Sequence, residues 1–259
     1  MEGNGISKTT KGGNLVYRLV AIDIDGTLLN GKAEITKEVK EAIHKAREKG
    51  VKIVLCTGRP LQGALRYAKE LDLHQGEEYI ITYNGALVQN IKTEEVVAHS
   101  TLSYDDLLEL YMISVRLDTP MHFFDSGTIY TTNKDISPYT VYESHSNNVP
   151  LCYRLIEEIP RDIQIPKIMY VDVPERLEKT IAYMSNNYMG KYSMVRSAPF
   201  FYEILKPEVT KGNAVKQLAE KLSIKQEEVM CIGDAGNDLS MIEYAGCGVA
   251  MANAEPELK

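Results

Sequence analysis

An apolar run, Leu19-Val20-Ala21-Ile22, leads directly into Asp23-Ile24-Asp25-Gly26-Thr27-Leu28-Leu29. Such a run fills a strand buried on both faces. Two carboxylates one residue apart at the end of that strand need an explanation, because unpaired charge is costly in a dry interior. Side chains alternate along a strand, so Asp23 and Asp25 would share a face if it continued. Gly26 and Thr27 predict a turn instead, at the carboxyl end of the strand, where open α/β sheets bind their ligands. A lone Asp-x-Asp-Gly reads equally well as an acidic strand exit. It is the partners further along that favour a functional role.

The chain then repeats one rhythm. Thr36 is placed to cap a helix with Val39, Ala42, Ile43 and Ala46 as its apolar stripe, and Gly50 stops it. Val51 to Leu55 is a second buried strand, ending in Cys56-Thr57-Gly58-Arg59-Pro60. Pro60 is expected as the first residue of the next helix, and Tyr79 to Thr82 as a third strand closed by Tyr83-Asn84-Gly85. From Ala86 the texture changes to short alternating strands and helices. These include a capping box at Ser103/Asp106 and a hairpin around Asp125-Ser126-Gly127. At Thr210 the first rhythm resumes with a helix from Lys211 to Leu222. A strand at Val229 to Ile232 follows, then Gly233-Asp234-Ala235-Gly236-Asn237-Asp238, a short helix and a last strand at Gly248 to Met251.

The expected fold class is therefore α/β: a doubly wound, Rossmann-like parallel sheet from 15–85 and 206–259, with an α+β module from 86–205 inserted. Residues 1–14, rich in Gly, Lys, Thr and Ser and without periodicity, are expected to be a disordered tail or an expression remnant.

A net charge of -7, with no basic stripe, argues against nucleic acid as a partner. No apolar run approaches the ~20 residues that cross a bilayer, so no membrane partner is expected. Cys56, Cys152, Cys231 and Cys247 lack metal-ligand spacing. Two of them sit within strand runs as small hydrophobes, which predicts reduced thiols and a cytoplasmic location. The five histidines show no metal spacing either, and the tyrosines of the inserted block (Tyr130, Tyr139, Tyr142, Tyr153) are expected to pack.

Four strand or helix ends now offer polar groups: Asp23 with Asp25, Thr57, Lys211, and Asp234 with Asp238. Converging carboxylates repel one another unless a cation joins them, and oxygen-only ligands point to Mg2+. A lysine in the first turn of a helix opposes the helix dipole unless an anion answers it. A carboxylate nucleophile, a divalent cation, a hydroxyl and an ammonium together suit phosphoryl transfer.

The ordered set Asp23-x-Asp25-Gly26-Thr27, Thr57-Gly58-Arg59, Lys211-Gly212 and Gly233-Asp234-x-x-Asn237-Asp238 resembles the haloacid dehalogenase-like (HAD) hydrolases. The insertion resembles a type IIB cap, and Asn84-Gly85-Ala86 with Ser197-Ala198-Pro199 resembles the Cof-type, YidA-like sugar phosphatases. The resemblance implies Mg2+ as cofactor and small phosphate esters as substrates, hydrolysed through an aspartyl-phosphate. It implies Asp23 as nucleophile and metal ligand, and Asp25 as general acid/base with its backbone carbonyl on the metal. Thr57 becomes the phosphate-binding hydroxyl and Lys211 the charge stabiliser. Asp234 becomes a metal ligand, with Asp238 beside it as ligand or helix cap. Gly58, Arg59, Asn84, Gly85 and Asn237 fall where phosphate or substrate is approached, and Arg59 reads equally as one half of a structural ion pair.

Two departures stand out. Ala235 and Gly236 replace a polar pair, which predicts a looser loop. Relatives of this kind also continue past the equivalent of Lys259 with another strand and helix, and an uncovered sheet edge costs stability. The rival readings are a phosphomutase of the same superfamily and a non-catalytic phosphosugar-binding module. The first usually carries a helical cap between the first two motifs, where this chain has a single helix and linkers. The second would not need Asp23, Asp25, Lys211 and Asp234 together.

Overall fold

The computed structural model describes residues 17–259; the stretch expected as a tail, 1–14, lies outside them. The first elements are β1 (Leu19–Asp23), α1 (Lys37–Glu48), β2 (Lys52–Cys56), α2 (Leu61–Glu70), β3 (Tyr79–Thr82), β4 (Leu87–Asn90) and β5 (Val96–His99). Next come α3 (Tyr104–Leu117), β6 (Met121–Phe124), β7 (Ile129–Thr131), α4 (Pro138–Asn147) and β8 (Leu151–Tyr153). They are followed by β9 (Ile168–Val171), α5 (Pro174–Tyr188), β10 (Ser193–Ala198) and β11 (Phe201–Leu205). The last are α6 (Lys211–Lys221), β12 (Val229–Gly233), α7 (Leu239–Tyr244) and β13 (Cys247–Ala250).

The buried runs pair as parallel strands. The first sheet has the order β13-β12-β1-β2-β3-β4-β5, and β1 lies inside it, parallel to both β12 and β2. Alternation along these strands builds two cores. Ile22, Ile53, Leu55 and Ile80 meet Ile43, Leu61, Ala64 and Ala68 of α1 and α2. Leu19, Ala21, Val54 and Cys231 meet Val215, Leu218 and Met241 of α6 and α7 on the opposite face. The sheet is thus doubly wound, as the βα rhythm predicts. Local capping agrees: Thr36 accepts the Val39 N–H and Thr210 the Asn213 N–H. Ser103 and Asp106 form both halves of the box that opens α3. Pro60 stands one position earlier than expected, as the cap of α2.

The second sheet has the order β10-β11-β9-β6-β7-β8. Apart from the parallel β7–β8 pair, its neighbours run antiparallel. Its two faces differ. Met121, Phe123, Ile168, Tyr170, Tyr202 and Ile204 share one core with Leu107, Leu110 and Leu177 of α3 and α5. The alternate residues face the other way and carry His122, Phe124, Met169, Phe201 and Glu203.

The expected start of the inserted module at residue 86 is corrected by the pairing. β4 and β5 belong to the first sheet, with β4 antiparallel to β3 and β5 antiparallel to β4. Tyr83 and Asn84 both adopt left-handed backbone, so the chain doubles back along β3 instead of leaving the sheet. An antiparallel extension has the alternating texture of a separate α+β unit, which is why the boundary reads too early. α4 and β8 carry no clear apolar period and were not foreseen. Among the described residues, no helix is long and apolar enough to cross a membrane.

Candidate active site

The carboxyl ends of β1, β2, β3 and β12 converge on one place. Asp23, the last residue of β1, is 6% exposed, and its Oδ1 lies 2.6 Å from Lys211 Nζ. Lys211 is fully buried and donates equally, at 2.6 Å, to Asp238 Oδ1. One ammonium is thus shared between two buried carboxylates. Burial works against the lysine's charge, but the two carboxylates outweigh it and hold Lys211 above its ordinary pKa. Burial likewise pushes the Asp23 carboxyl up to about 7: Lys211 pulls it down, while Asp238, competing for the same ammonium, pushes it back. With Asp23 ionised, the two carboxylates exceed the one ammonium by a single negative charge.

Asp234 follows β12. Its Oδ1 accepts the Thr27 hydroxyl at 2.7 Å, and Asn253 Nδ2 reaches its Oδ2 at 3.3 Å. Gly26, with φ +87°, lets the Asp23 loop press against this carboxylate, where any Cβ would collide with it. Oxygens of Asp23, Asp234 and Asp238 lie within 4.8 Å of one another. An all-carboxylate donor set fits a hard divalent cation such as Mg2+. Asp238, one of the three carboxylates of that set, also ties the site together. Its Oδ1 holds Lys211 and its Oδ2 accepts the N–H groups of Asp234 and Ala235, so both oxygens are engaged. Its side chain makes no capping bond to α7 either. The loop expected to be slack is held: Asp238 ties Ala235, and Glu255 accepts the Gly236 N–H at 2.8 Å.

Asp25 lies outside the cluster of three. Its carboxylate forms a two-pronged pair with Arg59, Nε and Nη2 each at 2.8 Å from an oxygen, and Arg59 is held above its ordinary pKa by that pair. Thr57, buried after β2, accepts the Arg59 N–H at 3.1 Å, which leaves its own hydroxyl proton free to donate. Asn84 packs over Gly58, and its Oδ1 accepts from Asn237 Nδ2 at 3.0 Å, joining the β3 and β12 ends. Gly85, expected among phosphate-binding residues, is placed elsewhere. With φ +104° it lies against the Thr210 carbonyl at the start of α6.

A cavity of about 450 Å³ opens over Asp23, Asp25, Thr57, Arg59 and Asn237. Its far wall comes from the second module: Tyr142, Glu143 and Asn147 of α4, Lys167, Ser197 and Glu203. None of these was singled out from the sequence, except that Ser197 lies in a quoted motif and Tyr142 was expected to pack. Thr27 was seen only as a motif position, and Asn253 carried no signal. A signal did exist for Lys167 and Glu203, since each is a charge set within an apolar strand run. Lys167 Nζ lies 3.1 Å from Glu203 Oε1 and 3.7 Å from Glu143 Oε1, and all three are buried. Beside them, burial together with the Lys167 ammonium pushes His122 down to about 3, so it stays neutral against Thr140.

The chain is also similar to known proteins over nearly all of its length. A family model described as haloacid dehalogenase-like hydrolase matches residues 20–259. The chain belongs to that family. Over 243 residues, 94% of this chain and 90% of the relative, this hydrolase is 60% identical to a Bacillus subtilis (strain 168) protein named "Putative phosphatase YxeH". A crystal structure of a haloacid dehalogenase-like hydrolase from Bacteroides thetaiotaomicron matches with TM-score 0.83 at 30% identity, covering 93% of this chain and 91% of that one. A solved HAD subclass IIB sugar phosphatase shares the fold, with TM-score 0.74 at 24% identity over 93% and 90% of the two chains.

In this hydrolase Gly85 lets the chain after β3 pack tightly against the start of α6. An alanine there would carry a strained positive φ and drive its Cβ into the Thr210 carbonyl, one residue before the lysine. Gly85→Ala is expected to cost about 2 kcal/mol or more. Thermal melting reads this as a fall in Tm of several degrees, and an unchanged Tm removes Gly85 from this role.

Proposed function

We propose that the protein is a Mg2+-dependent phosphomonoester hydrolase of small phosphorylated metabolites, sugar phosphates foremost, working through an aspartyl-phosphate on Asp23. The observation that carries this reading is the buried Asp23–Lys211 contact of 2.6 Å at the edge of a cavity. Lys211 engages one Asp23 oxygen and leaves the other to attack phosphorus. The new bond joins that oxygen to phosphorus as the bond to the leaving oxygen breaks. Asp25, at the mouth of the site, leaves its Arg59 pair and takes up a proton from solvent, gives that proton to the leaving oxygen, and later takes one from the water that cleaves the acyl-phosphate. Arg59 holds Asp25 in a fixed orientation until then, and the free Thr57 hydroxyl donates to a phosphate oxygen. Asp23 and Asp234, with the Asp25 carbonyl implied by family resemblance, would hold Mg2+, which offsets the negative charge of the phosphate. The second module is read as a cap whose α4 and β11 close the cavity against bulk water. The four unpaired thiols suit a reducing compartment, and the cytoplasm is included as the location.

Release of inorganic phosphate from p-nitrophenyl phosphate and a panel of sugar phosphates tests this, with protein stripped by EDTA and then resupplied with Mg2+. Hydrolysis that ignores Mg2+, or none at all, sinks the reading. Conversion of glucose 1-phosphate to the 6-phosphate without phosphate release would favour a mutase.

Cation binding should itself depend on pH. The cation needs Asp23 ionised, and without it that carboxyl holds its proton up to about 7. Mg2+ affinity is therefore expected to rise about tenfold per pH unit below that point and to level off above it. Calorimetry in buffers of different ionisation enthalpy should show about one proton released at about pH 6 and almost none at about pH 8. Equal release at both contradicts a raised pKa at a cation-binding Asp23.

A further inference from the structure

The cavity has a second buried cluster that the phosphoryl chemistry does not use. Glu203 lies on the face of the second sheet that turns away from α3 and α5, in register with Met169 of β9, which pairs in turn with His122 of β6. It borders the cavity at 5% exposure. Its Oε1 takes the Lys167 ammonium, whereas its Oε2 is buried with no hydrogen-bond partner among the described residues. Buried carboxylate oxygens are seldom left so, since the lost solvation is not recovered. The other side of Lys167 faces Glu143, at 3.7 Å, beyond a full hydrogen bond. Beside the cavity there is therefore an acceptor without a donor and, next to it, an ammonium with donor capacity to spare.

A hydroxyl both donates and accepts, and adjacent hydroxyls on a carbon chain match an acceptor–donor pair. We infer that Glu203 and Lys167 read hydroxyl groups on the leaving group of the phosphate ester, so that polyhydroxylated esters are preferred to plain alkyl ones. This rests on the phosphatase reading above and names the part of the molecule that selects its substrate. A purely structural Lys–Glu pair accounts for the site less well. Such pairs add little stability over apolar residues of equal volume, and a structural pair would not need an oxygen left open beside a cavity.

The test compares kcat/KM for erythrose 4-phosphate with that for n-butyl phosphate, esters of equal carbon count with and without hydroxyls. Wild type is expected to favour the sugar ester by at least about tenfold, since a site built around hydrogen bonds rejects a ligand that cannot make them. In Glu203→Gln that ratio should fall. In the triple variant Glu143→Gln/Lys167→Met/Glu203→Leu, which removes all three charges together and leaves no carboxylate without its ammonium, it should fall by roughly tenfold or more. The loss should appear mainly in KM for the sugar ester. A wild type without the preference, or variants that lower both esters equally and leave the ratio unchanged, overturns the inference while the phosphatase reading stands. A wild type that hydrolyses neither ester, nor p-nitrophenyl phosphate, under Mg2+ overturns both.

Discussion

Replacing Asp23 by asparagine is expected to lower kcat on p-nitrophenyl phosphate by roughly 10⁴-fold or more, as loss of a nucleophile does in enzymes whose catalytic groups act as a unit. The fold should survive. Asparagine keeps the shape of the side chain and an oxygen able to accept from Lys211, and Asp238 still neutralises that ammonium. The sign of the stability change follows from the raised Asp23 pKa. A carboxyl held near 7 in the folded state favours folding most below the ordinary carboxylate range, and that contribution is lost as pH rises through about 7. Without a cation, wild type should therefore lose stability as pH rises from about 4 to about 7 and level off above that, and Asp23→Asn should lose less. Kinetics with Mg2+ and melting curves without it check the two halves separately. Retention of most of the activity in Asp23→Asn would strip Asp23 of the nucleophilic role.

Lys211→Met is expected to have the largest effect on stability. The ammonium is fully buried and serves Asp23 and Asp238 at 2.6 Å each. Methionine fits the volume but leaves two carboxylates facing each other in the interior. Removing one member of a buried ionic group costs about 3–5 kcal/mol. For a chain of this size that corresponds to a fall in Tm on the order of 10 °C. Activity should fall steeply as well, since Asp23 then loses the ammonium that holds one of its oxygens. The penalty should shrink when Asp238→Asn is added, because the double variant holds one buried carboxylate fewer, and that partial recovery distinguishes charge imbalance from lost packing. A single variant melting within a degree or two of wild type contradicts the shared-ammonium account.

The contributions of local and tertiary information separate along physical lines. Strand runs such as Leu19–Asp23 and Val229–Gly233 were legible because a doubly buried strand must be apolar, and the ends of those runs are where a polar residue stands out. Capping at Thr36, Ser103 and Thr210 was legible because it is a matter of a few neighbouring residues. Asp23, Asp25, Thr57, Lys211 and Asp234 were legible as an ordered set on that frame. The local pattern held no trace of the partner each one takes. Asp25 pairs with Arg59, Asp238 spends both oxygens on Lys211 and the loop amides, and Gly85 supports Thr210 without lining the cavity.

The division at residue 86 failed for a similar reason. Whether a short alternating strand extends one sheet or starts another depends on the edge it meets in space, and here that edge was β3. The wall of the cavity was the least legible part. α4 turns Thr140, Glu143 and Asn147 inward, a buried stripe of polar residues that reads as no stripe at all. Glu203 and Lys167 become a pair only because β9 and β11 lie side by side. Sequence order dictated the strands and the acid-bearing loops, since burial and alternation act between near neighbours. The pairing of charges across the cavity came from packing, because it joins residues that only the folded chain brings within 3 to 4 Å.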